Sequence, residues 1–137
     1  MTPDELAQGG LQLPPISSIL PKSTANDTMR KIERQMNAAI TAGTDWRSAN
    51  TMVTTHNGVS HVFLHGNKIA EVGDNFIVLM DGGWQSNTTK SRLNAILHEH
   101  GIPGERVFQE KFHWFVNMKN AKGDDMKVPF FSGMRLN

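Results

Sequence analysis

The chain has 137 residues, of which 38% are hydrophobic and 20% charged, and its formal net charge is +1. This length suits one domain with its own core and is too short for two. The near-neutral charge argues against an acidic nucleic-acid mimic and against a protein that coats duplex DNA, although it is compatible with a local basic patch. The absence of cysteine excludes disulfides, thiolate metal sites and cysteine nucleophiles.

The sequence shows no signal for a membrane or for secretion. No apolar run approaches the roughly 20 residues that a membrane-spanning helix needs. The N-terminus lacks the basic start and the apolar middle of a secretory signal. We therefore expect a soluble cytoplasmic protein without a membrane partner, and a cysteine-free chain is compatible with that reducing compartment.

Residues 1–25 are predicted to form an extended N-terminal arm, and residues 26–137 a single domain. Prolines and glycines interrupt any periodicity in the arm, and five aliphatic side chains are its only apolar anchors. Such a segment can drape over its own domain, dock on a second subunit or lack fixed structure. The number of aliphatic side chains favours draping.

A first helix is predicted after Asn26 or Asp27, either of which can cap it. Gly43 suits the position just past the end of this helix. Packing beside a second helix and packing at a dimer interface are both open for it. Its apolar positions recur at spacings of three and four, and they are Met29, Ile32, Met36 and Ile40.

Four short antiparallel strands are predicted next, connected as a meander. The clearest signal is Asn57-Gly58, the preferred pair for a two-residue hairpin turn. Further turns are predicted at Gly66-Asn67 and at residues 73–75. The last segment is apolar at every position, which predicts a central strand. The four segments are 51–56, 59–64, 68–72 and 76–80.

A second helix is predicted over residues 88–100, with its cap at Ser86, Asn87 or Thr88 and a stop at Gly101 and Pro103. One stripe of this helix is apolar and should pack on the sheet. The stripe consists of Leu93, Ile96 and Leu97.

Two or three further strands are predicted after the second helix. Residues 107–108 and 112–116 form either a tight hairpin around Glu110-Lys111 or one bent strand. Residues 128–131 form a last strand, which Pro129 pushes towards a sheet edge. The element order predicts an α+β fold with one mainly antiparallel sheet of about five to six strands and one or two helices packed on it.

The start of the second helix carries the candidate binding site. Lys90 and Arg92 lie in or next to its first turn, where the exposed N–H groups already carry partial positive charge. Two cations at this end favour an anionic partner, because helix N-termini bind phosphate or carboxylate. The alternative is that both cations face solvent or pair with Asp81 and Glu99. The predicted binding surface consists of Trp84, Thr88, Thr89, Lys90 and Arg92.

A phosphate-binding loop of the Walker type is not predicted at this position. That motif requires glycine directly before the Lys-Ser pair and another glycine five residues earlier. Thr89 and Trp84 occupy those two positions. The sequence therefore argues against an NTPase.

Neither the histidines nor the late aromatic residues define a catalytic site. His98 and His100 point to different helix faces, and His61 and His65 lie roughly 13 Å apart along a strand. No metal site and no cofactor are therefore predicted. Aromatic side chains in the segment 112–115 can stack bases on a sheet face, but strand spacing favours a core role.

Three segments of the chain resemble a family of small uncharacterised bacteriophage proteins. They are LHGNKIA at 64–70, GWQSNTTKSRLN at 83–94 and VPFFSGM at 128–134, supported by NT at 50–51 and by Trp114. The resemblance covers roughly residues 50–134, with the preceding helix a looser match and the N-terminal arm outside it. It implies a phage early or accessory protein made in the cytoplasm of an infected bacterium, and it implies no catalytic residue.

Three functional hypotheses follow. The first is a non-enzymatic phage accessory protein that binds a host or phage macromolecule, such as nucleic acid or another anionic partner, at the start of the second helix. The second is a protein–protein inhibitor of a host defence or transcription factor. The third is a small nuclease or phosphoryl-transfer enzyme that uses His61, His65 or His98 with Lys90. A second copy of the chain, forming a homodimer, is a further candidate partner.

Overall fold

The computed structural model describes residues 29–136. The predicted arm, together with Asn26 and Asp27, lies outside the described residues. Within 29–136 the chain forms two helices and nine strands. These are α1 (Lys31–Ala42), β1 (Trp46–Ser48), β2 (Thr51–His56), β3 (Val59–Leu64), β4 (Asn67–Val72), β5 (Ile77–Leu79), α2 (Asn87–His100), β6 (Arg106–Glu110), β7 (His113–Lys119), β8 (Asp125–Pro129) and β9 (Met134–Leu136).

The strands form two antiparallel sheets. Six strands pair in the order β1-β2-β3-β4-β5-β9, and three pair in the order β6-β7-β8. The predicted α+β class is confirmed, and so are an antiparallel sheet of six strands and the meander. The strands that follow α2 were expected in the same sheet, but β6, β7 and β8 form a sheet of their own. The short edge strands β1 and β9 were not predicted.

The hairpin turns follow the local sequence closely. Asn57 and Gly58 both have positive φ, as a two-residue turn of the twisted-hairpin type requires. The next turn is formed by His65 and Gly66, again with positive φ, and therefore lies one residue earlier than predicted. Strand β5 lies between β4 and β9, which confirms that it is an interior strand.

The two helices pack beside each other against the six-stranded sheet. Helix α1 contacts β2 and α2, and α2 contacts α1, β4 and β6. The Asn37 side-chain amide in α1 donates to the carbonyl of Ala95 in α2 at 3.0 Å. Packing of α1 beside the second helix is thus confirmed. The predicted apolar stripe of α2 is also confirmed, because Leu93, Ile96 and Leu97 are all buried.

The second sheet contains the tight hairpin predicted after α2, but the predicted position of one aromatic residue is wrong. Lys111 and Phe112 form the turn with positive φ, one residue later than predicted. Phe112 is therefore 90% exposed at the turn, and the expectation that it belongs to the core is wrong. Trp114, two residues later, is buried as expected. Strand β8 ends at Pro129 and is an edge strand.

Candidate functional site

Helix α2 begins at a cap that uses several polar groups of the predicted site. The Ser86 hydroxyl oxygen accepts the backbone N–H of Thr89 at 3.1 Å, so Ser86 is the cap among the three predicted candidates. The Thr89 hydroxyl lies 3.0 Å from the Ser86 hydroxyl and donates to the carbonyl of Trp84 at 3.5 Å. Thr89 is buried. Its side chain therefore stabilises the helix start and does not belong to the surface.

Arg92 points into the protein rather than to a partner. Its side chain is 4% exposed, and its guanidinium Nη1 lies 2.8 Å from Oε2 of Glu33 in α1. The same Glu33 oxygen accepts the hydroxyl of Ser91 at 2.6 Å. The acids considered as partners from the sequence were Asp81 and Glu99, but the acid that neutralises Arg92 comes from the other helix. The geometry removes Arg92 from the predicted binding surface.

The remaining donors of Arg92 join the helices to the sheet. Nε donates to the Thr51 hydroxyl at 3.0 Å, and Nη2 donates to the Asn50 side-chain oxygen at 3.2 Å. Thr51 begins strand β2 and is buried. Buried charge is tolerated when it is paired and its donors are satisfied. The ion pair is therefore surrounded by hydrogen-bond partners, of which Thr51 is buried and Ser91 and Asn50 are partly exposed.

Lys90 lies on the other side of the helix and is partly exposed. Its Nζ is 3.3 Å from the side-chain oxygen of Gln109 at the end of β6. Thr88 is also partly exposed. Of the five predicted site residues, Trp84, Thr88 and Lys90 are therefore open to solvent, whereas Thr89 and Arg92 are not.

Trp84 is 73% exposed on a loop, residues 81–86, whose backbone is fixed by Asp81. One Asp81 carboxylate oxygen accepts the N–H of Gly83 at 2.8 Å, and the Asp81 carbonyl accepts the N–H of Trp84 at 3.2 Å. Gly82 and Gly83 have φ of 68° and 89°, a conformation that favours glycine. The indole is thus presented to solvent by a loop whose backbone N–H groups at Gly83 and Trp84 are hydrogen-bonded to Asp81.

A pocket of about 230 Å³ opens beside this indole. Its apolar part is formed by Leu64 and Ile69, and its polar part includes His65, Asn67 and Asp81. Pockets for drug-sized ligands and cofactors usually have about 300–1,000 Å³, so this one suits a smaller group such as a single side chain. Its complete lining is Leu64, His65, Asn67, Ile69, Asp81, Gly82, Trp84, Ser86 and Thr89.

A second exposed aromatic ring belongs to a segment that is hydrogen-bonded to the Trp84 loop. Phe131 is 62% exposed. The next residue, Ser132, accepts the backbone N–H of Asp81 at its hydroxyl oxygen at 3.1 Å. The N–H of Gly133 donates to the carbonyl of Leu79 at 2.7 Å. The structure therefore brings together two exposed aromatic segments, of which the sequence indicated only Trp84.

The histidines of the enzyme hypothesis are spread over the molecule. His61 Nδ1 lies 3.2 Å from Lys68 Nζ on the β3–β4 pair. His98 is eight residues beyond Lys90 on α2, which corresponds to about 12 Å along a helix. Residues 29–136 contain no group of three or more acidic or histidine side chains arranged to hold a metal ion.

A protein-family model described as Kyanoviridae Gp96 protein matches residues 29–137, which include both helices and all nine strands of the described part. The match confirms the resemblance to small bacteriophage proteins, including the looser resemblance of α1. No curated protein and no solved structure matches the chain. Neither α1 nor α2 has the length and apolar character needed to cross a lipid bilayer.

Proposed function

The chain belongs to the Kyanoviridae Gp96 protein family, and we propose that it is a non-enzymatic phage accessory protein that binds a protein partner in the infected bacterial cell. The partner is a host or phage protein of the cytoplasm. The proposed contact surface centres on Trp84 and includes Phe131, whose segment is hydrogen-bonded to the Trp84 loop, and we call it the Trp84 surface.

The observation that carries this proposal is the exposed indole on a fixed loop. Tryptophan is enriched among the residues that dominate the free energy of protein–protein binding. Because Asp81 already holds the loop, binding would require little further ordering of the backbone. An indole in this state is suited to act as an anchor for a partner.

The pocket beside Trp84 supports a protein rather than a cofactor as the ligand. Its volume of about 230 Å³ is suited to one inserted side chain. Leu64 and Ile69 would pack against the apolar part of that side chain. His65 and Asn67 at the polar side could accept or donate hydrogen bonds at its edge.

The charges at the helix start also favour a protein over an anionic ligand. Arg92 is neutralised by Glu33, and Ser86 accepts the N–H of Thr89. Of the two cations near the start of α2, Lys90 is the partly exposed one. One partly exposed lysine provides little of the charge that phosphate-backbone recognition uses.

The test is affinity capture with the full chain from nuclease-treated lysate of infected bacteria, followed by quantitative mass spectrometry. We expect one protein to be enriched by the wild-type chain. Trp84→Ala should reduce its recovery about thirtyfold, since loss of an anchoring residue costs about 2 kcal/mol or more of binding free energy. The melting temperature should not change, because the side chain is mostly exposed.

Ile102→Ala provides the matched control, because Ile102 is an exposed apolar residue just beyond the other end of α2. This variant should recover the same protein as the wild type. Equal recovery by Trp84→Ala would contradict the proposal. Capture that disappears on nuclease treatment would indicate a nucleic-acid partner instead.

A further inference from the structure

The three-stranded sheet has an outer face that the Trp84 surface does not include. Buried and accessible positions alternate along the first part of β6 and of β7, and β8 continues the sheet with accessible residues only. Val107, Trp114 and Val116 are buried, whereas their neighbours in sequence point the other way. Strand pairing aligns these neighbours in rows across the sheet. The outer positions include Arg106, Phe108, Glu110, Phe115 and Lys127.

Two aromatic rings lie side by side at the centre of this face. Phe108 and Phe115 are directly opposite each other on β6 and β7. Their ring centroids are 5.9 Å apart, with an interplanar angle of 29°. Both side chains are partly exposed. Neighbouring strand positions of this kind are where single-stranded nucleic-acid binders place the rings on which bases stack.

Each ring is accompanied by a cation. The guanidinium carbon of Arg106 lies 4.6 Å from the centre of the Phe108 ring. The ammonium of Lys127 lies 5.0 Å from the centre of the Phe115 ring. Each cation lies over the face of its ring, so a base that stacks on the ring displaces the cation towards a flanking phosphate, and arginine can itself stack on a base.

Two carboxylates on the same face partly offset these charges. Glu110 pairs with Lys127 at 2.7 Å, and Asp125 pairs with Lys119. The Lys127–Glu110 pair is about half exposed on both sides. Exposed pairs of this kind are worth only about 0–1 kcal/mol, so a phosphate can replace Glu110 beside Lys127 at little cost.

We propose that this outer face binds single-stranded nucleic acid, with bases stacked on Phe108 and Phe115 and phosphates held by Arg106 and Lys127. Three strands give a platform about 10 Å wide and, along β7, about 20 Å long, which accommodates two or three nucleotides. Bases in a duplex are already stacked and paired, so the face discriminates against double strands. The inference uses a surface other than the Trp84 surface and does not depend on the proposed function.

The test is fluorescence anisotropy of a labelled oligothymidine of about 15 nucleotides, titrated with the full chain at low and at moderate salt. The expected slope of log affinity against log salt is about −1.4, since each of two phosphate contacts contributes about −0.7 on a single strand. A duplex of the same length should bind at least about tenfold more weakly, because its bases cannot stack on the rings.

Variants of the two rings test whether bases stack on them or whether the oligonucleotide is held by charge alone. Phe108→Leu and Phe115→Leu keep apolar side chains and should each weaken binding about tenfold. Phe76→Leu is the matched control, since Phe76 is also a partly exposed ring with a cation, Arg135, at 4.5 Å, and it lies outside this sheet. That variant should bind like the wild type.

Glu110→Gln is expected to increase affinity for the oligonucleotide, an effect that loss of folding cannot produce. Removing the carboxylate frees Lys127, so this variant should bind the oligonucleotide several-fold more tightly. The proposal is overturned if the wild-type chain does not bind the single strand at low salt, or if the duplex binds equally well. It is also overturned if the Phe108 and Phe115 variants bind like Phe76→Leu.

Discussion

Arg92 and Lys90 are two residues apart in helix α2. Helix geometry therefore places them on nearly opposite sides of the helix, about 160° apart around its axis. Arg92 lies on the inner side, 3% exposed, and donates to the polar groups of α1 and β2. Lys90 lies on the opposite side and is partly exposed, and its ammonium contacts a surface amide of β6. The same kind of residue thus connects elements of the core on one side and borders a solvent-exposed surface on the other.

The difference shows what decides the role of a cation at a helix start. Local sequence places Lys90 and Arg92 in the same unfavourable field of the helix dipole. The acid that resolves the conflict for Arg92 is Glu33, which is 59 positions away in the chain. A cation at a helix start can bind a partner molecule only if it does not already form an ion pair with an acid from a distant part of the chain.

The largest expected effect tests the inner side. Arg92→Met keeps an extended apolar side chain but removes the ion pair between Arg92 and the buried Glu33 carboxylate. Breaking one member of a buried pair costs about 3–5 kcal/mol of unfolding free energy. Urea denaturation of the purified variant measures this loss directly.

Two further variants make the stability test specific. Lys90→Ala should change the unfolding free energy by less than about 0.5 kcal/mol, as exposed substitutions usually do. The double variant Arg92→Met with Glu33→Leu should recover most of the loss, because it removes both charges. A Lys90→Ala variant as unstable as Arg92→Met would reverse the assignment of the two sides.

Ser86 lies at the boundary between the two sides and has an intermediate expected effect. Its hydroxyl accepts the N–H of Thr89, so Ser86→Ala should lower the unfolding free energy by about 1 kcal/mol. Ser86→Asp should restore it, since aspartate is an equally good cap. Asn87→Ala at the next, exposed position is the control and should be nearly neutral in the same denaturation experiment. A larger loss in Asn87→Ala than in Ser86→Ala would place the cap at residue 87.

Features of the fold that arise from neighbouring residues could be predicted from the sequence. The Asn57-Gly58 hairpin depends on two residues that accept positive φ, and the apolar stripe of α2 depends on spacing alone. The stop at Gly101 likewise follows from its local sequence, and the Gly101 N–H donates to the carbonyl of Leu97. Each signal lies within a few residues of the structure it specifies.

Features that depend on distant partners could not be predicted. Strand β9 has three residues and exists because β5 offers an open edge with which it pairs. The burial of Arg92 required knowledge that α1 places Glu33 beside it. Phe112 shows a third cause: a turn one residue later than expected moved this ring from a strand to the exposed turn.

The candidate site likewise has one feature that the local sequence indicates and one that depends on distant residues. The exposure of Trp84 agrees with a polar, glycine-rich loop that offers no apolar neighbours in sequence. Phe131 is connected to that loop only through Ser132 and Asp81, which are 51 positions apart. Binding at Trp84, Thr88 and Lys90 stays a prediction that the capture experiment addresses.

The far end of α2 provides the smallest effect and extends the comparison along the helix. The Nε2 atom of His100 is buried without a hydrogen-bond partner among residues 29–136. Burial lowers the pKa of His100 from its ordinary value of 6.5, and the neighbouring charge of Glu99 opposes this only in part. The folded chain therefore binds the His100 proton less tightly than the unfolded chain does.

The unfolding free energy should accordingly fall as the pH is lowered from 6.5 towards the lower pKa of the folded state, because the unfolded chain takes up the proton first. Burial raises the pKa of Glu105, and protonation of that carboxyl acts in the opposite direction, so the measurement is a difference between variants. His100→Gln should show a smaller fall than the wild type in urea denaturation across this pH range. His98→Gln, at an exposed position of the same turn, should follow the wild-type curve. If His98→Gln removes the fall in unfolding free energy and His100→Gln does not, the pH dependence arises from the exposed histidine, and the prediction for His100 is wrong.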